Sequence, residues 1–557
     1  MLSVLLSLLL AVSVTYSPPV AYEMSLAGNF GEPRPNHFHG GIDVKTDGVV
    51  GKPLRAIADG YVSRITVGLL GFGNALYITH PDGHTSVYCH LQSFAPRIER
   101  LLQRWQYEHQ SYVADVRLSP LDCPVARGQF VAVSGNSGAS QAPHLHLEVH
   151  DTRTGNMLDP LDFLGIYVND GLPPMAHGFM AYPIKGQGVF NGGSAKQTFG
   201  FGSHHLSRRF TAWGKVGFAL WANDYMEITY NRYGVRETTL KVDGRVVFHS
   251  VVDNIPQQRN RMVNSWGDYE HFMRYGVWYM KSFIEPGNTL PMLEASDGSG
   301  YIDFNEQRDY HLQYELKDFK GNTSSYDFTV TGTPTALPKP SPSKPFSKML
   351  HNRISTFTQP GMQLVLPSGV LPYDIELHPT VQPGADGLSP SYAFQGRSFP
   401  LFNWAELSIA VRGKVADPSK LYITSDLWAA RFCGGSYKNG WVTGRIRELG
   451  AHYRLEYDDR PPVITPVAQG RWSSTRTIRI GLADSGSGLK SYKGFIDGRF
   501  VLFKQLEKSP WVECRLAETP MFKTALTAAD KSKREHRLRF IASDNCNNTS
   551  TFETIIR

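Results

Sequence analysis

Three histidines lie at even spacings in the stretch PHLHLEVH at residues 143–150. Residues two apart in a strand point to the same side, so His144, His146, Glu148 and His150 share one face while apolar side chains occupy the other. Two imidazoles on one strand can converge on a metal ion, because neutral imidazole is the commonest metal ligand in proteins. A histidine pair alone also fits an ordinary surface strand, so a metal site requires further ligands.

Further ligands of suitable type lie upstream, in NHFHGGIDV at residues 36–44. The two glycines of this stretch disfavour a helix, so His39 and Asp43 lie at even spacing on an extended segment and face the same way. His90, in VYCHL, ends another predicted strand. Together these residues supply enough nitrogen and oxygen ligands for a tetrahedral zinc ion with one open position, which is the pattern of a catalytic zinc site.

The order of these motifs closely resembles that of the lysostaphin and LytM type of β-lytic zinc metallopeptidases, in which His-x-x-x-Asp precedes His-x-His. The resemblance covers about residues 29–164 and includes the flanking stretches NFGEPR, GKPLRAIADGYV, YCHL, SGNSGASQAPHLHLE and LDPLDFL. It implies that Zn²⁺ is the cofactor and that His39, Asp43 and His146 are its ligands. It also implies that His144 and His90 are the catalytic histidines.

Two side chains near the motifs have less definite roles. His37 lies on the face of His39 but not at the family's ligand position, so we expect it to support a ligand or to lie on the surface. Glu148 could hold a ligand through a hydrogen bond or form an ordinary solvent-facing salt bridge, and both interpretations stay open. The chain contains no His-Glu-x-x-His, so a peptidase of this sequence would depend on histidines for acid–base catalysis.

The resemblance implies a secreted zinc metalloendopeptidase that hydrolyses peptide bonds of bacterial peptidoglycan, in cross-links or stem peptides, with a zinc-activated water and histidine acid–base catalysis. This substrate comes from the resemblance alone, and a protein substrate stays open. One alternative is a non-catalytic wall-binding regulator or activator of other murein hydrolases, and another is a purely structural zinc. The presence of all three ligands and both histidines favours the enzyme.

The bulk composition indicates several domains and no nucleic-acid partner. A chain of 557 residues with 41% hydrophobic residues is longer than one hydrophobic core usually supports, so we expect three or four domains. Lys and Arg number 57 against 50 Asp and Glu, without a long basic run. This mild positive excess suits an anionic surface such as a bacterial wall.

The N-terminus predicts export. An apolar run at residues 2–14 is too short to span a bilayer and is followed by small residues and a proline pair, which is typical of a cleaved signal peptide at residues 1–17. We therefore expect secretion across the inner membrane, to the periplasm or cell envelope, and no transmembrane span in the mature chain. The run lacks a basic residue at its start, which leaves an uncleaved anchor open. Cys514 and Cys546 could form a disulfide in such a compartment.

The predicted fold is mainly β. Short β-branched runs broken by Gly and Asp-Gly at residues 18–165 predict an antiparallel sheet, and the resemblance implies a LytM-type peptidase domain with a duplicated hybrid motif there. Ile98, Leu101, Leu102 and Trp105 follow the spacing of a helix face, so we expect a helical insertion between strands. Every candidate ligand lies before residue 165, which predicts that this domain is self-contained.

Ordered repeats predict how the remaining chain is organised. NDGLPP at 169–174, VDGR at 242–245 and Asp-x-x-x-Asn-Thr-Ser at 318–324 are matched by DDRPP at 458–462, IDGR at 496–499 and the same Asp motif at 544–550. We expect two copies of an Ig-like β-sandwich, at 166–335 and 459–557, a Pro-rich linker at 336–347 and a third β-rich module at 348–458, giving about three Ig-like domains.

The Asp motifs of the two copies have a local explanation. We interpret Asp318 and Asp544 as turn-capping residues and not as calcium ligands, because no Asp-rich loop surrounds either of them. The repeated turns of these modules carry no convergent cluster of histidines, cysteines or carboxylates, so we expect the modules mainly to tune location or access.

Overall fold

The structure, a computed structural model, describes residues 14–339, 347–384, 387–427, 431–519 and 535–556. Most of the predicted signal peptide and most of the predicted Pro-rich linker lie outside these residues. The chain is mainly β, as predicted, and its strands form almost exclusively antiparallel pairs. No helix within the described ranges combines the length and the apolar character needed to cross a lipid bilayer.

The N-terminal region contains short strands and two helices. Its strands are β1 (Leu26–Gly28), β2 (Pro33–Arg34), β3 (His37–Phe38), β4 (Ile42–Lys45), β5 (Pro53–Arg55), β6 (Gly60–Val67), β7 (Asn74–Thr79), β8 (His84–Cys89), β9 (Ser93–Phe94), β10 (Ala114–Arg117), β11 (Pro124–Val125), β12 (Phe130–Val133), β13 (His144–Asp151) and β14 (Met157–Leu158). Its helices are α1 (Pro96–His109) and α2 (Leu161–Leu164).

The main sheet of this region places the histidine strand at its centre. The strand order is β1-β4-β13-β8-β7-β6-β10, so β13 pairs with β4 on one side and with β8 on the other. His146 lies opposite Asp43 of β4 and opposite Cys89 of β8. The alternate residues Leu145, Leu147 and Val149 are fully buried in the apolar core. The antiparallel pairing therefore brings the two ligand motifs, a hundred residues apart, onto neighbouring strands.

The predicted helical insertion is confirmed as α1. Pro96 stands at its first turn, where the missing backbone donor costs nothing, and Ile98, Leu102 and Gln106 are its buried residues. The opposite side of the helix contacts the C-terminal part of the chain, because Lys504 Nζ donates to Glu99 Oε1 at 2.9 Å. The insertion thus gives the N-terminal region a surface on which distant residues pack.

The first module, at residues 175–332, is built around two long strands. Its strands are β15 (Met175–Phe190), β16 (Gln197–Gly200), β17 (His205–Asn223), β18 (Glu237–Val242), β19 (Arg245–Val251), β20 (Asn254–Ile255), β21 (Met280–Lys281), β22 (Leu293–Ala295), β23 (Ile302–Phe304), β24 (Asp309–Lys317) and β25 (Thr323–Gly332), with helices α3 (Val263–Trp266) and α4 (Tyr269–Tyr275). The sheet order is β16-β15-β17-β25-β24-β18-β19-β22, and β17 and β25 run parallel.

The second module, at residues 347–457, has a five-stranded and a four-stranded sheet with a shared core. Its strands are β26 (Lys348–Met349), β27 (Ser355–Gln359), β28 (Met362–Leu366), β29 (Ile375–Glu376), β30 (Thr380–Gln382), β31 (Ser391–Ala393), β32 (Pro400–Ala410), β33 (Leu421–Ser425), β34 (Ser436–Lys438), β35 (Trp441–Glu448) and β36 (Tyr453–Tyr457).

The third module, at residues 463–556, has two four-stranded antiparallel sheets around one core, which is the architecture of a β-sandwich. Its elements are β37 (Val463–Val467), α5 (Trp472–Thr475), β38 (Thr477–Ala483), β39 (Leu489–Ile496), β40 (Arg499–Val501), β41 (Lys504–Gln505), β42 (Trp511–Arg515), β43 (His536–Asp544) and β44 (Thr549–Ile556). Cys514 and Cys546 are both buried thiols and are not joined by a disulfide.

The two predicted copies share their turn geometry. Asp243 and Gly244 between β18 and β19 both have positive φ, as do Asp497 and Gly498 between β39 and β40, which is the backbone of a tight hairpin turn. The Asp motifs also match. In each, the asparagine four residues on donates its backbone and its side-chain N–H groups to the two oxygens of the aspartate carboxylate. The repeats therefore occupy equivalent corners of two modules.

The N-terminal region packs tightly against the first module, so it is less self-contained than the sequence predicted. Met226 and Tyr233 of the first module belong to the apolar core of the N-terminal region. Asn260 Oδ1 accepts the backbone N–H of Phe38 at 2.6 Å, and Asn264 Oδ1 accepts that of Asn36 at 3.0 Å. The segment that leads into His39 is therefore held from outside residues 18–165, and the domain boundaries stay a prediction.

Candidate metal centre

Three side chains meet at one point beside the main sheet: Asp43 on β4, His146 on the neighbouring β13, and His39 in the segment between β3 and β4. His39 Nε2 lies 3.0 Å from Asp43 Oδ1 and 2.9 Å from His146 Nδ1, and His146 Nδ1 lies 2.9 Å from the same aspartate oxygen. Gly41 permits this approach, because a Cβ at that position would lie 2.2 Å from the carbonyl oxygen of Leu147. The backbone of the His39 segment can therefore lie directly against β13.

The hydrogen bonds on the far side of each ring define which nitrogens carry lone pairs. His39 Nδ1 lies 2.6 Å from the carbonyl oxygen of Asn29, which can only accept, so this nitrogen carries the proton. His146 Nε2 lies 2.9 Å from Glu148 Oε1 and donates to that carboxylate. In the neutral rings, His39 Nε2 and His146 Nδ1 both direct lone pairs towards Asp43 Oδ1.

This donor set fits a metal cation. Two imidazole lone pairs and a carboxylate oxygen directed at one point repel each other unless a positive charge stands among them. Ligand atoms at about 2.0 to 2.2 Å from a tetrahedral zinc ion lie about 3.3 to 3.6 Å apart. The three atoms here are 2.9 to 3.0 Å apart, so they would have to move outwards by a few tenths of an ångström to hold the ion. The mixed nitrogen and oxygen ligands also suit zinc or a similar transition metal better than calcium or magnesium.

The charges around the triad favour a cation as well. Burial, the largest influence, acts to raise the pKa of Asp43, but the facing histidines outweigh it and hold that pKa far below its usual range. Burial, the largest influence, acts to lower the pKa of His146, yet its hydrogen bonds with Asp43 and Glu148 raise that pKa to about 9, so the position beside Nδ1 favours a positive charge, whether a proton or a metal ion. Arg34 Nη2 donates to Asp43 Oδ2 at 2.8 Å, which leaves Oδ1 as the oxygen that faces the imidazoles.

Glu148 lies behind the candidate ligand His146 and not in solvent. The residue is 3% exposed, and Oε1 accepts from His146 while Oε2 accepts from His150 Nε2 at 2.6 Å. Burial acts to raise the pKa of Glu148, but the two histidines bring it to about 2, so the group is ionised. Of the two interpretations left open by the sequence, the hydrogen bond to a candidate ligand is therefore the one found.

His144 and His90 lie beside the triad without completing it. His144 Nδ1 donates to the carbonyl of Ala142 at 2.8 Å, so its Nε2 is the atom that faces the site, 3.3 Å from Asp43 Oδ1. Its side chain is 17% exposed, against 1% for His39 and 8% for His146. The site is therefore most accessible from the His144 side.

His90 follows β8 directly and adopts a left-handed backbone with φ of 61°. Its Nδ1 donates to the carbonyl of Ser137 at 2.9 Å, and its ring centroid lies 5.0 Å from that of His144. Burial, followed by the charges of His146 and His144, lowers the pKa of His90 to about 3. His90 is therefore neutral at physiological pH, with Nε2 as its available nitrogen.

The third module contacts the loop at residues 135–138, which also contacts His144 and His90. Gly135 forms an isolated β-bridge with His144, and Ser137 orients His90. Lys508, between β41 and β42, donates from Nζ to the carbonyl of Gly138 at 2.9 Å. A segment nearly 370 residues downstream of this loop therefore borders the candidate site.

The structure brings together five of the histidine and aspartate residues predicted from the sequence and leaves His37 apart from them. His39, Asp43 and His146 lie together as one group of metal-binding geometry, with His144 and His90 at its side. His37 is exposed, and its side chain bonds to the nearby Pro35 carbonyl. Sequence reasoning did not assign roles to several residues that hold these side chains in place: Asn29, Arg34, Ser137, His150 and Lys508. Two of these residues, Asn29 and Arg34, lie in the stretch NFGEPR, which is part of the resemblance, so that stretch could have indicated their roles.

Two parts of the chain match known family models. Residues 37–160 match the model described as Peptidase family M23, and residues 347–458, the second module, match the one described as Zu5-like domain. The chain therefore contains a LytM-type M23 peptidase domain at residues 37–160. The resemblance predicted from the sequence is confirmed for this part of the chain.

Individual proteins are similar over the same region. An uncharacterized metalloprotease of Haemophilus influenzae is 30% identical over 123 residues, which are 22% of this chain and 20% of the relative, so the match spans about a fifth of that protein. The catalytic domain of lysostaphin from Staphylococcus simulans is 24% identical, with 26% of this chain and 92% of that chain covered and a TM-score of 0.20. The catalytic domain of the M23 protein EnpA from Enterococcus faecalis is 23% identical, with coverages of 26% and 95% and a TM-score of 0.20.

Proposed function

We propose that this chain is a secreted zinc metalloendopeptidase that hydrolyses peptide bonds of bacterial peptidoglycan, in cross-links or stem peptides. The M23 match and the metalloprotease relative support peptidase chemistry. The observation that carries the proposal is the convergence of two imidazole lone pairs and a carboxylate oxygen, each within 3.0 Å of the others. Two further histidines lie on the accessible side of that point.

In this proposal the metal ligands are His39 Nε2, Asp43 Oδ1 and His146 Nδ1. Zinc, when bound, supplies a water whose pKa is lowered to about 7 and polarises the carbonyl that is attacked. Three protein ligands leave a coordination position for water or substrate, as catalytic zinc sites require. Glu148 and the Asn29 carbonyl hold the two imidazoles in the tautomers that present lone pairs to the metal.

The acid–base work falls to His144 and His90. Because His144 Nδ1 donates to a backbone carbonyl, its Nε2 carries the lone pair and can accept a proton from the attacking water. His90 is likewise oriented by Ser137, so its Nε2 meets the substrate and can take up or return a proton, or stabilise the oxyanion once protonated. In both rings Nδ1 donates to a backbone carbonyl, and this hydrogen bond holds the reacting Nε2 in place.

Location and substrate belong to the same proposal. The apolar run at residues 2–14 supports secretion to the periplasm or cell envelope, and the mild positive charge suits an anionic wall. The modules after residue 165 would then position the peptidase domain or limit access to it. The contact between Lys508 and the Gly138 loop supports a role in access, because it lies beside both catalytic histidines.

The test combines metal analysis with digestion of purified sacculi. The full chain should contain one zinc per molecule by inductively coupled plasma mass spectrometry and should release peptides identifiable by mass spectrometry. His144→Ala should keep the zinc and release far less peptide, which separates catalysis from a contaminating hydrolase.

The outcomes distinguish the competing hypotheses. Stoichiometric zinc without release from sacculi, but with cleavage of a protein such as casein, would assign a protein substrate. The absence of zinc together with binding to sacculi and no cleavage would favour the non-catalytic wall-binding regulator. Either result would overturn the proposed activity on peptidoglycan.

A further inference from the structure

Three aspartates from distant parts of the chain meet where the peptidase region joins the first module. Asp170 lies in the connecting segment, Asp224 directly follows β17, and Asp318 lies in the turn between β24 and β25. One carboxylate oxygen of each lies within 4.8 Å of those of the other two. This group, the junction cluster, is separate from the histidine site.

Two carboxylate oxygens of the junction cluster have no hydrogen-bond donor in the part of the chain that the structure describes. Asp224 is 1% exposed, and its Oδ1 is a buried atom that meets no hydrogen-bond donor among the described residues. Asp170 Oδ2 is likewise a buried atom without a hydrogen-bond donor among the described residues. An unpaired buried carboxylate oxygen is costly, because nothing replaces the water that it loses on folding. Their presence in one cluster points to a ligand that both could share.

The surrounding charges do not neutralise the cluster. Burial, followed by the charges of Asp170 and Asp318, raises the pKa of Asp224 to about 8. Lys320 lies near enough to lower the pKa of Asp170, but its ammonium donates to the carbonyl of Gly165 at 2.8 Å. Burial also raises the pKa of Asp170 to about 7, so Asp170 and Asp224 hold protons near neutral pH unless a cation takes the place of those protons.

We propose that Asp170, Asp224 and Asp318 bind a hard divalent cation, with Ca²⁺ as the preferred ion. Carboxylate oxygens are the ligands that Ca²⁺ takes, at 2.3 to 2.6 Å, so oxygens across its coordination sphere lie at most about 5 Å apart. The junction cluster falls within that span. The sequence predicted only turn capping at Asp318 and no carboxylate cluster in the repeated turns, and the structure corrects the second expectation. Asp318 keeps its turn-capping hydrogen bonds from Asn322 in this arrangement, so the same carboxylate can cap the turn and face the cation.

A cation at the junction cluster would have a structural role, because the cluster lies where two parts of the chain meet. Asp224 begins the segment whose Tyr233 donates to the carbonyl of Leu26 at 2.8 Å and whose Gly234 exchanges two hydrogen bonds with the Asn29 side chain. Asn29 in turn accepts from His39, a candidate zinc ligand. A cation at the junction cluster would hold together the connecting segment and the loop that supports the peptidase core.

The third module provides a matched control within the same chain. Asp458, Asp484 and Asp544 form the equivalent cluster at its entrance. The described residues leave no orphaned buried oxygen in that cluster, and its carboxylates accept backbone N–H groups of Ser487, Gly486 and Gly488. The same three-aspartate arrangement therefore occurs once with unpaired oxygens and once without.

The test is calorimetric titration of CaCl₂ into the full chain in calcium-depleted buffer, with zinc content measured in the same samples. The wild type should bind Ca²⁺, Asp224→Asn should lose one equivalent, and Asp484→Asn should retain the junction site. Ca²⁺ at a hundred times its Kd should raise the wild-type melting temperature by roughly 5 to 10 °C. Asp224→Asn should show no such shift from that site and, without Ca²⁺, should melt no lower than the wild type, because it removes a repelling carboxylate.

Several results would overturn the proposal. They are a wild type that binds no Ca²⁺, an Asp224→Asn variant that binds as much as the wild type, or a single site that disappears only in Asp484→Asn. If Asp224→Asn fails to fold, Asp170→Asn replaces it, since that position is less buried, and unchanged binding there has the same meaning. Titration with MgCl₂ distinguishes a calcium site from a general divalent one.

Discussion

Glu148→Gln tests whether a buried carboxylate holds the metal ligand in place. The wild-type group accepts hydrogen bonds from two imidazoles, through Oε1 from His146 and through Oε2 from His150. Glutamine has the same shape but one acceptor oxygen and an NH₂ donor. It can therefore accept from one ring only, and it places an N–H against the N–H of the other. The negative charge that favours the His146 Nε2–H tautomer is lost as well.

The expected effect falls on metal affinity. Loss of the hydrogen-bonding partner of a ligating histidine typically weakens metal binding by about 10- to 100-fold, which is about 1.4 to 2.8 kcal/mol. The variant should reach turnover within roughly twofold of the wild type at saturating zinc, because the carboxylate lies behind the ligand and not beside the substrate. The deficit should therefore appear in the zinc Kd and disappear as zinc is added.

The assay is zinc titration against a chromophoric chelator, followed by peptide release at each zinc concentration. Glu294→Gln is the control, because that carboxylate is 78% exposed and lies in the first module, so both quantities should stay at wild-type values. An unchanged zinc Kd for Glu148→Gln would refute the reasoning. A low turnover that zinc cannot restore would instead show that Glu148 acts on the reaction itself.

Three further predictions follow from the site and its supports. His144→Ala should keep zinc and lose about 100- to 10,000-fold in turnover, whereas His146→Ala should lose zinc and activity together, both checked by metal analysis and peptide release. Gly41→Ala should lower the free energy of unfolding by about 1 to 3 kcal/mol in denaturant titration and reduce zinc content, because its Cβ meets the Leu147 carbonyl. Lys508→Ala should leave zinc content unchanged and lower kcat/KM a few-fold, because it frees the Gly138 loop; an unaltered kcat/KM would contradict this.

The packing of the modules changes how the peptidase domain should be studied. Asn260 and Asn264 of the first module hold the backbone on the way to His39, and Tyr233 fills the core of the peptidase region. The third module borders the site through Lys508. Zinc binding and peptide release should therefore be measured on the full chain, because fragments that end near residue 165 lack the contacts that hold the segment leading into His39.

The parts of this protein that follow from local rules were predictable from its sequence. Alternation along β13 assigned His144 and His146 to one face, the spacing of apolar residues indicated α1, and the Asp-Gly pairs marked the tight turns of two modules. Strand alternation, helix periodicity and turn conformation depend on a few consecutive residues, so one sequence carries enough information to predict them. The ordered motifs added the resemblance to M23 peptidases.

Tertiary structure alone decided which distant groups meet. Glu148 lies against His146 and not in solvent because the sheet buries both faces of β13 there. The turn aspartate Asp318 has a local explanation, yet it stands beside Asp170 and Asp224, about 150 and 90 residues away along the chain, and only packing brings them within 4.8 Å. Such encounters depend on how whole sheets and modules pack. No short stretch contains that information, because burial and the loss of water are properties of the assembled fold.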